Sequence, residues 1–317
     1  DIHSDTIYIQ AKDRGGAIYA IETLMQLIPA EEYVRSDRSR LAVQCQRGED
    51  YPSYPYRGAH LDVARTFSDK NTVMRFIDNM ARHKFNRFHW HLTDDEGWRI
   101  EIKAFPELTS IGGYRGGDSP VPPRYASLDK KYGGYFTQDE IREVVEYAAF
   151  RNIEIIPEID LPGHSLAATK VIPGVICPNS GNVEIWKRNV WCATREENYA
   201  ILDSILREVA ALFPSEYIHV GGDEVPPEVW NGCPTCSGEI AEHSAEWLNG
   251  YFMTRMNEIL ACYGKKQAVW NEAVNGGSLT GEDIRIYGWE NVEACRKSVA
   301  SGYETVVMPA QYFYLDM

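Results

Sequence analysis

Tyr217-Ile-His-Val-Gly-Gly-Asp-Glu224 is the stretch from which the chain is read. A short strand-like run meets a Gly-Gly break, and two adjacent carboxylates follow at once. In a parallel α/β barrel the C-terminal ends of the strands carry the chemistry, so paired acids at such an end point to general acid work. The competing reading is an acidic first turn of a helix, since carboxylates also favour the positive end of the macrodipole and Pro226-Pro227 comes next. Other strand ends tip the balance, because they too gather Asp, His, Arg and Trp.

Outward from this point, strand and helix patterns alternate from Arg57 onward, the signature of β-α-β units around a parallel sheet. Strands are expected near 57–64, 86–93, 153–159, 216–221, 267–272, 284–289 and 304–309, and helices near 69–83, 137–151, 195–213, 240–262 and 291–300. The helix at 137 rests on apolar residues at Ile141, Val144, Val145, Ala148 and Ala149, with Thr137 and Glu140 spaced as a capping box. The fold class is therefore α/β, and seven strands are one short of a closed barrel: either a (β/α)8 TIM-like barrel is completed by an eighth strand beyond Met317, or the fold is open. Before it, a strand at Thr6–Gln10 and a helix over Gly16–Leu27 are too few elements to bury a core. They read as the end of a preceding domain or as a docking element, giving residues 1–45 as that element and linker, and 46–317 as a barrel domain that is incomplete at its C-terminus. Two long excursions, about 95–136 and 161–194, follow strand ends and belong on the catalytic face.

Bulk properties narrow the function. Of 317 residues, 32 are basic and 46 acidic, a net charge of -14, which argues against nucleic acid or an anionic membrane as partner. No apolar run approaches the about 18 residues of a membrane span, and the first residues lack the pattern of a signal peptide, so any such signal is expected to have been removed or to lie upstream of Asp1. Eight Trp and 19 Tyr suit a site that stacks on sugar rings. The seven cysteines are an odd count. Cys233-Pro-Thr-Cys236 reads as half a zinc site, a redox pair or a small disulfide, while Cys177 with Cys192 reads as a loop-closing disulfide in an oxidising compartment.

Chemistry gathers at the strand ends. Leu61-Asp62-Val63-Ala64-Arg65 places Arg65 at the rim, to hold hydroxyls or to pair with Asp62. Phe88-His-Trp-His-Leu-Thr-Asp-Asp-Glu-Gly-Trp98 puts His89 and His91 on one face. That pair opens an alternative, a zinc-dependent barrel hydrolase using His89 and His91 as ligands. Glu158-Ile-Asp160-Leu-Pro-Gly-His164 turns Asp160 and His164 back toward the mouth. Trp270-Asn-Glu272 and Trp289-Glu290 end later strands, and the two Trp read as pocket walls.

Five stretches in this order resemble glycoside hydrolase family 20, the β-N-acetylhexosaminidases: Arg57-Gly-Ala-His-Leu-Asp-Val-Ala-Arg65, His89 to Arg99, Pro157 to His164, His219 to Glu224 and Tyr312-Phe-Tyr-Leu-Asp316. The resemblance implies a retaining exo-hydrolase of terminal β-linked N-acetylglucosamine or N-acetylgalactosamine, with the substrate's own acetamido oxygen as nucleophile and an oxazolinium intermediate. It makes Glu224 the acid and base, and Asp223 the ionised group that orients the acetamido N–H. His164 and Asp94 become a relay that tunes Glu224. Arg65, Trp270, Trp289, Tyr314 and Asp316 become sugar ligands, with Asp160 and His219 in support. It implies no cofactor and no metal, an N-acetylhexosamine-terminated glycan as partner, a secreted or periplasmic location, and a catalytic barrel over 46–317 preceded, within 1–45, by the tail of an α+β domain. A non-catalytic carbohydrate-binding relative is the remaining alternative.

Overall fold

The computed structural model describes residues 1–34, 41–123, 129–172, 174–178 and 183–315. Seven strands form one parallel sheet: β1 (Gly58–Asp62), β2 (Arg87–His91), β3 (Glu154–Leu161), β4 (Tyr217–Gly221), β5 (Lys266–Trp270), β6 (Arg285–Gly288) and β7 (Glu304–Val307). Their spatial order is their sequence order, the arrangement of a (β/α)8 barrel. Each expected strand is present, with ends shifted by no more than two residues at most sites.

The helices pack outside for the reason their sequences give. Following α1 (Arg14–Leu27), α2 (Lys70–Arg82) buries Val73, Ile77, Met80 and Ala81, while α3 (Gln138–Phe150) buries Ile141, Val144 and Ala148. Each of these Val, Ile and Met side chains contributes roughly 1.5–3 kcal/mol of burial. Asp69 caps α2 and the Thr137–Glu140 capping box closes α3. Then come α4 (Glu196–Leu212), α5 (Ala245–Cys262) and α6 (Val292–Ala300). The single helix expected over 240–262 is instead two, Cys236–Glu242 and α5, because Ser244 leaves the helical conformation to cap Trp247 N–H.

The sheet has two unlike faces. Along β2, Phe88 and Trp90 turn outward, against Phe76 at 5.5 Å and Phe136 at 4.9 Å between ring centroids. His89 turns inward, beside His219 at 4.7 Å and Tyr287 at 5.0 Å. The barrel interior thus holds polar rings where aliphatic layers are usual.

The tail docks under the barrel. Arg14 donates to the carbonyls of Ala149 and Phe150, and Gln26 to that of Arg82. The strand expected at Thr6–Gln10 is not formed. Only isolated bridges join Ile2 to Ile7 and to Gln46, because no neighbouring strand among the described residues takes up its backbone groups.

Candidate active site

The Gly-Gly break does more than end β4. Gly221 has φ +76° and Gly222 +102°, angles that admit glycine readily, and a Cβ on Gly221 would stand 1.9 Å from Asp160 Oδ1. The close approach leaves room for no side chain. The turn beyond is pinned from several sides. Gly222 N–H donates to Leu161 O at 2.7 Å, Asn249 Nδ2 donates to Gly222 O at 2.8 Å, and Glu224 N–H donates to Glu272 Oε2 at 2.9 Å. Glu224 itself takes φ +44° and His164 +48°, a left-handed conformation that costs a residue with a Cβ roughly 1–2 kcal/mol. Such strain persists only where surrounding contacts fix it.

These bends bring both acids to one imidazole. His164 Nε2 lies 3.2 Å from Glu224 Oε2 and 3.6 Å from Asp223 Oδ2. The Glu224 side chain is 59% exposed and that of Asp223 only 14%, so Glu224 stands at the mouth and Asp223 beneath it. On its other side, His164 Nδ1 faces Asp94 Oδ1 at 3.3 Å. Burial would strip the proton from His164, but Asp94 and Asp223 outweigh it and hold its affinity well above the ordinary imidazole range. Asp94 goes the other way. Burial opposes its charge, yet Arg65, His164 and His91 keep it well below the usual carboxylate range. Burial lifts Asp223, with His164 working against the rise, and burial with the nearby Asp223 lifts Asp160 well above its usual value. The expectation of an ionised Asp223 therefore depends on the charge of His164.

Arg65 forms the ion pair with Asp62 that its spacing allowed. It pairs with Asp62 at 2.8 Å and with Asp94 Oδ2 at 2.9 Å, and its side chain remains 33% exposed at the rim.

Beneath these residues sits Glu158, a carboxylate fully out of water. His91 Nδ1 lies 2.7 Å and His89 Nε2 2.8 Å from its Oε2, while His219 Nδ1 at 3.1 Å and the donating Trp270 Nε1 at 2.8 Å face Oε1. Burial would raise Glu158, but His91 and His219 hold it well below the carboxylate range. His89 is driven down to about 3 by burial and is neutral. This arrangement corrects the zinc-hydrolase alternative. His89 and His91 converge on one carboxylate oxygen, the second nitrogen of His91 meets Asp94 at 2.9 Å, and among the described residues the two histidines share no set of metal-ligand atoms.

The aromatic candidates separate by depth. Trp270 is 4% exposed and forms the floor beside His219, whereas Trp289 is partly open and stacks on Tyr314 at 6.2 Å and 19° between planes. Asp316 lies outside the described residues. A cleft of about 360 Å³ beside Glu224 is bordered by His164, Trp186, Asn189 and Pro226.

Three residues of this site were given no role in the reading of the sequence. Glu158 is two residues before Asp160 and so shares its strand face, a spacing that could have marked it. Glu272 is driven up to about 8 by burial and by Asp223. Trp186 lies within a long excursion whose path no periodicity reveals.

Comparison with known proteins identifies the family. The family described as "Glycosyl hydrolase family 20, catalytic domain" matches residues 54–317. A beta-hexosaminidase of Vibrio furnissii is 42% identical over 319 residues, covering 98% of this chain and 51% of that protein. One of Porphyromonas gingivalis is 34% identical, covering 98% and 40%. The chain spans about half the length of these curated relatives. Among solved structures, a GH20 exo beta-N-acetylglucosaminidase from Vibrio harveyi in complex with N-acetylglucosamine superposes with a TM-score of 0.84 at 38% identity, over 95% of this chain and 48% of that one. A beta-N-acetylhexosaminidase from Bacteroides fragilis gives 0.81 at 32% identity, over 96% and 59%.

Proposed function

Since the chain belongs to glycoside hydrolase family 20, we propose that its protein is a retaining exo-β-N-acetylhexosaminidase, secreted or periplasmic, whose catalytic unit is residues 46–317. The substrate is a glycan ending in β-linked N-acetylglucosamine or N-acetylgalactosamine. One observation carries the reading: two consecutive carboxylates, Asp223 and Glu224, meet at one imidazole nitrogen within 3.6 Å.

In this proposal Glu224 protonates the leaving oxygen while the acetamido carbonyl oxygen of the substrate attacks the anomeric carbon from the opposite face. The bond to the leaving group breaks and an oxazolinium ion forms. Asp223 accepts the acetamido N–H and offsets the positive charge that develops there, in a low-dielectric site where such stabilisation is large. Glu224 then takes a proton from water, which opens the ring with net retention. His164 couples Glu224 to Asp94, so that the proton affinity of the acid follows a buried charge. Arg65 holds sugar hydroxyls. Trp270, Trp289 and Tyr314 enclose the acetamido group and ring, and Asp316 binds a further hydroxyl.

The test compares two substrates in Glu224→Gln. On a natural disaccharide, turnover falls by roughly 10²- to 10⁴-fold, the scale of a lost general acid. On an aryl glycoside with a good leaving group the bond-breaking step falls far less. Wild-type turnover of the disaccharide by this variant overturns the assignment.

A further inference from the structure

Away from the acids, four cysteines from three separate stretches meet in the interior. Cys177 and Cys192 lie in the excursion after β3, and Cys233 and Cys236 in the segment after Glu224. All four are buried, each no more than 2% exposed, and their sulfurs lie within 4.8 Å of one another. The separations are 3.6 Å for Cys192–Cys236, 3.8 Å for Cys177–Cys236 and 3.9 Å for Cys192–Cys233.

Those lengths match the edge of a particular tetrahedron. Four sulfurs each about 2.3 Å from a zinc ion stand about 3.8 Å from one another. A disulfide needs about 2.0 Å and links sulfurs in pairs. Here Cys236 stands at similar distances from Cys177 and Cys192, and Cys192 at similar distances from Cys233 and Cys236. Each of the four sulfurs lies within 4.8 Å of the other three. We propose that Cys177, Cys192, Cys233 and Cys236 bind one Zn²⁺ as a closed, structural tetrathiolate site.

The chemistry of the donors supports this choice. A four-sulfur tetrahedron suits zinc or iron, and at equal availability the divalent series places zinc above iron. Cys233-Pro-Thr-Cys236 has the two-residue spacing of zinc knuckles. Binding converts four thiols to thiolates and releases four protons. Hydroxyls stand ready around the sulfurs, with Thr194 Oγ1 3.2 Å from Cys236 Sγ and Thr235 Oγ1 3.4 Å from Cys233 Sγ. Such outer contacts orient ligands and offset thiolate charge. With four protein ligands no position is open to substrate, so the ion does not take part in hydrolysis.

Its place gives it a mechanical role. The site joins the excursion that carries His164 to the segment that follows Glu224, alongside the Trp230 Nε1 hydrogen bond to Trp191 O at 3.0 Å. Zinc would fix the spacing of two loops that border the cleft. The inference does not depend on the proposed sugar chemistry, and either could fail alone.

The test is metal analysis of the protein purified without chelator or added thiol. About one zinc per chain is expected, released in step with mercurial titration of the thiols. Cobalt replacement should give the visible bands of a tetrahedral cobalt thiolate. Cys236→Ser should lose the metal, while Cys262→Ser, at an exposed cysteine, should keep it. If Cys236→Ser does not fold, the metal content and cobalt spectrum of the native protein still decide. Absence of zinc, with four alkylatable thiols or with two disulfides found by mass spectrometry, overturns the proposal.

Discussion

His164 Nδ1 stands 3.3 Å from Asp94 Oδ1, and through this contact a carboxylate wholly out of water sets the proton affinity of the imidazole that touches Glu224. The raised affinity of His164 stabilises the fold at pH below the ordinary imidazole value, and this contribution is lost as pH rises through the native value.

Asp94→Asn removes that charge. Taking away a buried counter-charge lowers a histidine by roughly 1–3 pH units. The alkaline limb of kcat/KM should move down by that interval, and kcat should fall about 10- to 100-fold. A pH–rate profile on the disaccharide checks both, and an unmoved alkaline limb would contradict the relay.

Glu158→Gln should destabilise the barrel by about 3–5 kcal/mol at neutral pH, since it removes one partner from a fully buried cluster. Glu158 sits well below its ordinary 4.5, so its contribution is complete above that pH and fades as pH falls through the native value. Urea unfolding of both proteins should therefore show a gap that narrows in acid. A gap that widens in acid would assign the cluster the wrong charge.

Gly221→Ala tests the crowded turn. Its φ of +76° and the 1.9 Å approach to Asp160 Oδ1 predict a loss of about 2–5 kcal/mol, strain and overpacking together. Gly302, at φ +87° with nothing within 4 Å of a Cβ, is the control, and its alanine variant should lose only about 1–2 kcal/mol. Equal losses would show that the close approach carries no cost.

Glu272→Gln bears on the carboxyl driven up to about 8. Between its ordinary 4.5 and this value the folded protein holds a proton that the unfolded chain has released, so stability falls as pH rises across that window. Glutamine mimics the protonated form and should flatten this decline. Thermal unfolding at about pH 5 and pH 8 reads the slope, and parallel curves for the two proteins would contradict the raised affinity.

Much of this was legible in the sequence, because period and punctuation reflect local physics. The seven strands follow from apolar runs between turn signals, and α3 from its apolar spacing and capping box. Asp223, Glu224 and His164 were visible because glycine and proline mark where a strand must stop. What stayed hidden depends on contacts between distant segments. The centre at Glu158 needs His89, His91, His219 and Trp270 from three other strands, none of which indicates its partner locally. Cys177 and Cys192, expected to pair with each other, form no disulfide and share a cluster with Cys233 and Cys236 that only the folded loops create. Ser244 shows the reverse limit, as a capping residue inside an apolar pattern that the periodicity overrode.

The most direct test of substrate-assisted catalysis by Asp223 and Glu224 is the ratio of kcat/KM for two aryl β-glycosides that differ only at C2, one bearing acetamido and the other hydroxyl. An intramolecular nucleophile is worth an effective concentration on the order of 10⁵ M or more. The acetamido compound should be cleaved and the hydroxyl compound should fall by a comparable factor, to background. Similar rates for the two would contradict the account.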